Sequence, residues 1–152
     1  MRKETVTREL YQFEELSDAA KEKARNWFRE GALDYDWWEY LYEDAAAIGL
    51  KITTFDLDRH RHAKGNLTKS VEDVCKLIME NHGKTCDTYE LAMESKDIDE
   101  EDEEAVKEFE RALLEEYSIM LQHEYEYRLS DEAVDEDILA NEYEFTIDGK
   151  RA

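Results

Sequence analysis

Asp56-x-Asp58-x-His60-x-His62 is the stretch where alternate positions carry two carboxylates and then two imidazoles. On an extended strand alternate side chains share one face, so these four would offer the donor types that hold zinc or a similar ion. The plainer reading is the polar outer face of an edge strand, with Arg59 and Arg61 on the other side. A second pattern is calcium-like: Asp97, Asp99, Glu101 and Glu108 fall at positions 1, 3, 5 and 12 of an EF-hand loop. Position 6 should be glycine for the sharp turn, and here it is Asp102. A dense acid run produces such matches unaided.

The sequence has no GxGxxG, GxxxxGK[ST], HExxH, GxSxG or CxxC. His60, His62, His82 and His123 are its four histidines, and no serine or cysteine stands beside one in a nucleophile motif. The expectation is therefore a protein without catalytic residues, resident metal or cofactor. A small metal-dependent enzyme using Asp56, Asp58, His60 and His62 is the alternative from a different class. Cys75 and Cys86 form no disulfide framework, which suits a reducing compartment.

Charge is the dominant feature. Residues 1–86 carry 17 Asp and Glu against 14 Lys and Arg, whereas residues 87–152 carry 24 against 6, for a formal net charge of −21. Such a surface repels nucleic acid and anionic membranes and attracts basic proteins. The acids concentrate further. Asp97, Asp99, Glu100, Glu101, Asp102, Glu103 and Glu104 fill seven of eight positions, and Asp131, Glu132, Asp135, Glu136 and Asp137 fill five of seven. A helix start favours one or two acids, because its first N–H groups lack partners. The surplus repels itself, so it calls for a benefit outside the fold. Mimicry of phosphates is one such benefit. Duplex DNA carries one charge about every 1.7 Å of axis, a density that helix-borne carboxylates can approach. Should the helix between the two clusters be straight, they lie roughly 38 Å apart, comparable with one DNA turn of about 34–36 Å.

These groups need a scaffold, and the sequence outlines one. With 41 % hydrophobic residues, 11 % aromatics, no proline and five glycines, the chain can fold as one mostly helical α+β domain over 1–152. A strand is expected over 5–13, followed by a helix capped by Ser17 and ended by Gly31. Asp34 or Asp36 would cap a second helix, whose Trp38, Leu41, Ala45 and Ile48 form its buried stripe. A strand over 50–58 changes parity between Ile52 and Phe55, which a bulge near Thr53-Thr54 would reconcile. Residues 59–69 read as a basic loop or turn. Ser70 caps a third helix, a short helix lies around 86–94, and the longest periodic segment spans roughly 102–129. Ser130 caps one more helix, and Tyr143, Phe145 and Ile147 alternate as a third strand. The expected total is about five helices, one long and central, over a small three-stranded antiparallel sheet. Trp37 and Tyr40 fall off the buried stripe, where they could serve a partner or a second copy in a homodimer.

Leu10-Tyr11-x-Phe13-x-Glu15-Leu16-Ser17-x-x-Ala20-Lys21-x-Lys23-Ala24, with Asp34-Tyr35-x-Trp37-Trp38 and Phe55-Asp56-Leu57-Asp58, resembles a family of small, poorly characterised acidic proteins encoded by tailed phages and prophages. The resemblance runs from about residue 8 to Tyr143-Glu144-Phe145 and carries no active site with it. It implies an accessory, anti-defence role in the host cytoplasm. Charge and resemblance together lead to one expectation. The protein binds and inhibits a basic, nucleic-acid-handling host protein of the restriction or CRISPR type, with DNA mimicry as the mechanism. It does not bind nucleic acid or membrane directly. An antitoxin-like binder of a co-encoded toxin is the alternative within the binding class.

Overall fold

The computed structural model describes residues 1–152, and they divide into two compact units. One comprises residues 1–36 and 125–152, and the other comprises residues 37–124. The architecture is α+β with six α-helices, and its strands form two separate two-stranded antiparallel sheets instead of the single three-stranded sheet expected.

In the first unit, β1 (Tyr11–Gln12) leads into a 3-10 turn (Phe13–Glu15) and then α1 (Asp18–Gly31). Ser17 caps α1, its hydroxyl accepting from the Ala20 N–H at 3.2 Å. α6 (Asp131–Ala140) is capped in the same way by Ser130, and β4 (Glu144–Phe145) pairs with β1. The strand expected over 5–13 shrinks to two residues. Only Glu144 and Phe145 are available as partners, and residues 1–10 are all exposed. Phe13, Leu16, Ala20, Ala24, Val134, Ile138 and Phe145 form the core, with Tyr11, Trp27, Phe28 and Tyr143 packed against it.

The second unit starts with α2 (Glu39–Ala47), which begins later than expected and has no side-chain cap. The Trp37, Trp38 and Tyr42 rings all pack edge-on against Phe55, at centroid distances of 5.6, 5.6 and 6.2 Å. That aromatic cluster fixes the entry of the chain in place of an aspartate. β2 (Leu50–Asp56) pairs with β3 (His62–Leu67), a strand where a loop was expected. The register slips between Ile52 and Thr54, which makes Thr53 the extra residue of a bulge. Gly65, opposite Ile52, is forced: a Cβ there would lie 2.1 Å from the Lys51 carbonyl oxygen.

α3 (Val71–Asn81) starts under the Ser70 cap, whose hydroxyl accepts from the Asp73 N–H at 3.2 Å. α4 (Asp87–Ser95) follows, and α5 (Glu103–Arg128) is the 26-residue helix that the long period foretold. Ile48, Leu50, Val74, Ile78, Leu113 and Tyr117 are among the side chains buried in the core of this unit. Each of the aliphatic ones contributes about 1.5–3 kcal/mol through burial. Arg61 fastens the hairpin to α5, donating to Glu115 (2.6 Å), Gln122 (2.9 Å) and the Ser118 hydroxyl (3.3 Å).

The two cysteines have different environments. Cys75 is buried among these side chains, and burial, reinforced by the Glu100 charge, pushes its thiol up to about 11. Cys86 is exposed. A thiol-reactive dye is expected to label one cysteine quickly in the native protein and the second only on unfolding. Two equally fast thiols would show that the packing around Cys75 is wrong. No helix is long and apolar enough to cross a membrane.

Candidate functional site

The first acidic segment lies between α4 and α5 and runs into the first turn of α5. All seven carboxylate residues from Asp97 to Glu104 are exposed. Three of them serve the local backbone. Asp102 caps α5 by accepting from the Ala105 N–H at 3.2 Å, and Asp99 accepts from the Glu101 N–H at 3.0 Å. Glu100 reaches the start of α3 and accepts from the Glu72 N–H at 3.2 Å. That bond places the acidic first turn of α3, Glu72 and Asp73, beside the segment. The other four carboxylates, of Asp97, Glu101, Glu103 and Glu104, form no ion pair or hydrogen bond within the chain. The surface therefore collects acids from two helix starts that are remote in sequence.

The second acidic segment differs. Asp135 receives a two-pronged bond from Arg25, with Nε to Oδ1 at 2.6 Å and Nη2 to Oδ2 at 2.9 Å. Asp131 pairs with Arg29, whose Nε also donates to the Leu129 carbonyl at 2.9 Å. The Asp135 bond holds the Arg25 guanidinium charged, against the cost of partial burial. Two of the five acids expected to meet a partner thus hold α1 against α6. Glu132, Glu136 and Asp137 remain exposed.

Trp37 requires correction. It is 6 % exposed and belongs to the aromatic cluster on Phe55, whereas Trp38, expected in the core, is the half-buried one. α2 starts after both, so the helical stripe assumed for Trp38 does not extend to it. Tyr40 is exposed as expected, and its hydroxyl donates to Glu124 at 2.8 Å.

The metal alternatives find no geometry to support them. Asp56 ends β2 and pairs in register with His62 at the start of β3, with Asp58 and His60 in the connecting loop. Asp56 accepts from the Asp58 N–H, and His62 Nδ1 lies 2.8 Å from the His60 carbonyl oxygen. Nowhere in the chain are three or more His, Cys, Asp or Glu placed to hold a metal ion, the EF-hand-like residues included.

Sequence reading missed a polar network in the second unit. His82, just past α3, has Nδ1 at 2.5 Å from the Thr88 hydroxyl and Nε2 at 3.1 Å from Asp44, which also accepts from the Tyr117 hydroxyl at 2.7 Å. Burial and the Asp44 bond together raise the Tyr117 phenol, keeping it a donor. The order Asp–His–Thr resembles a nucleophile relay, with Thr88 buried, and its bonds join α2, α4 and α5. Replacing His82 with alanine should cost about 2–3 kcal/mol, because Thr88 is left without its partner. The melting temperature should fall by roughly 5–10 °C. A change of less than a degree would show that the network contributes nothing.

Compared with protein-family models, curated proteins and solved structures, the chain matches none.

Proposed function

We propose that this chain is an acidic binding protein that occupies lysine and arginine sites built for phosphates on a nucleic-acid-handling protein. The observation that carries the reading is the state of Asp97, Glu101, Glu103 and Glu104. They are exposed, form no ion pair with any lysine or arginine of the chain, and flank Glu100, which reaches the Glu72 N–H at the start of α3. Like charges at that density raise the energy of the folded protein and lower it again when a cationic surface covers them. In the other unit Glu132, Glu136 and Asp137 are exposed as well, while Asp131 and Asp135 are committed to Arg25 and Arg29. In the setting of a phage or prophage accessory protein, the target is a host defence protein of the restriction or CRISPR type, blocked at its DNA-binding surface.

The test is capture from host lysate at about 50 mM and about 500 mM NaCl, with and without duplex DNA as competitor. The expected partner is a basic nucleic-acid-binding protein that is retained at low salt, released at high salt and displaced by the duplex. Retention that ignores both salt and duplex would overturn the reading.

A further inference from the structure

The first unit holds an open cleft of about 330 Å³ lined by Trp27, Phe28, Glu30, Gly31, Asp34 and Tyr143. Its walls are aromatic. Trp27 meets Tyr143 edge-on at 5.3 Å and 88°, and Phe28 at 6.3 Å, and all three rings are half-buried. The remaining lining is anionic. Glu30 and Asp34 are exposed and belong to no ion pair of the chain. Gly31 closes α1 without a side chain, and a Cβ there would meet the Asp34 carboxylate at 3.5 Å. The C-terminal carbonyls of α1 add the negative end of its dipole at the same place.

Aromatic walls, two carboxylates and a helix C-terminus together favour one ligand class, an organic cation. The same rings already carry one guanidinium, since the Arg151 guanidinium carbon lies 4.8 Å from the Tyr143 ring centroid and 5.9 Å from that of Trp27. A second must therefore enter from the side lined by Glu30 and Asp34, whose two charges outweigh the one on Arg151. Arg151 does not line the cleft itself. We propose that this cleft receives a guanidinium, the side chain of an arginine on the partner protein. A guanidinium is planar and weakly hydrated, so it can lie on a ring while its edge meets a carboxylate, whereas a compact ammonium gives up more hydration to make the same two contacts. The proposal rests on the function proposed above only for the source of the arginine.

The test uses the full chain and no partner. N-acetyl-arginine amide is titrated while the Trp27 indole N–H is followed by NMR, alongside the citrulline amide, the lysine amide and tetramethylammonium. The expected result is a saturable shift with a Kd on the order of 1 mM for arginine and none for citrulline, its uncharged isostere. The double variant E30Q/D34N should bind arginine about tenfold more weakly with an unchanged melting temperature, since both positions are exposed. Citrulline matching arginine, or an unaffected double variant, would remove the cation site. Lysine amide or tetramethylammonium binding more tightly than arginine would refute the guanidinium assignment. Because no partner is present, this titration can succeed where lysate capture fails, and the reverse.

Discussion

Gly149→Ala is expected to destabilise the first unit by at least about 3 kcal/mol, through two independent causes. Gly149 has φ +89°, a region where a residue with a Cβ is strained by about 1–2 kcal/mol. The second cause is space. An added Cβ would lie 2.1 Å from the Ala20 carbonyl oxygen and 2.9 Å from its carbon, and both belong to the backbone of α1. Backbone within a helix cannot move aside as a flexible side chain can. The turn could relax only by releasing the bonds from Gly149 N–H to the Thr146 carbonyl (2.9 Å) and from Thr146 N–H to the Lys150 carbonyl (2.8 Å). That turn brings Arg151 back to bridge with Phe145 and to stack on Trp27 and Tyr143, so its loss also disturbs the aromatic cleft. Asparagine separates the two causes. It tolerates positive φ but carries the same Cβ, so Gly149→Asn should fail almost as badly. Urea unfolding monitored by tryptophan fluorescence reads the effect. An alanine variant within about 0.5 kcal/mol of the parent would mean that the turn does not pack on α1 as described.

What the sequence revealed, and what it hid, follows the range of each interaction. Ser17, Ser70 and Ser130 mark their helices because the bond each makes is to an N–H three residues on. The bulge at Thr53 showed because a change of parity is visible within one strand. β3 stayed hidden because its inward positions are Ala63, Gly65 and Leu67, too small and too mixed to look like a buried strand. Trp37 is covered and Trp38 only half so because α2 starts at Glu39, and neither indole therefore follows the helical stripe that the sequence outlines. The α1–α6 pairing was legible in principle: Arg25 and Arg29 sit one helical turn apart, and so do Asp131 and Asp135. Acidity alone hid it, since two structural acids look no different from their neighbours in a run of five. The acid run 97–104 is plain in the sequence, but its approach to the start of α3 has no local signal. That approach is made by Glu100, which reaches the Glu72 N–H across 28 positions.

That division of the acids allows binding and stability to be moved in opposite directions. The variant D97N/E101Q/E103Q/E104Q removes four charges and leaves Asp99, Glu100 and Asp102 to their backbone bonds. Glu103 and Glu104 lose a modest attraction to the N–H groups of α5, about 0.3–1 kcal/mol each at most. Against that, self-repulsion falls in a protein of formal net charge −21. The melting temperature in low salt should hold or rise. The effect on the partner should be the reverse. Four exposed ion pairs at roughly 0.7 kcal/mol each amount to about 3 kcal/mol, or about a hundredfold in affinity at low salt. The gap between parent and variant should close as salt increases, because screening removes from the parent what substitution removed from the variant. The control is D131N/D135N, which should lower stability by breaking the Arg25 and Arg29 pairs while changing partner affinity far less. Acids kept only for solubility would give the same stability response and leave affinity untouched. Partner affinity of the fourfold variant, measured across a salt series, therefore separates a functional surface from a merely solvated one.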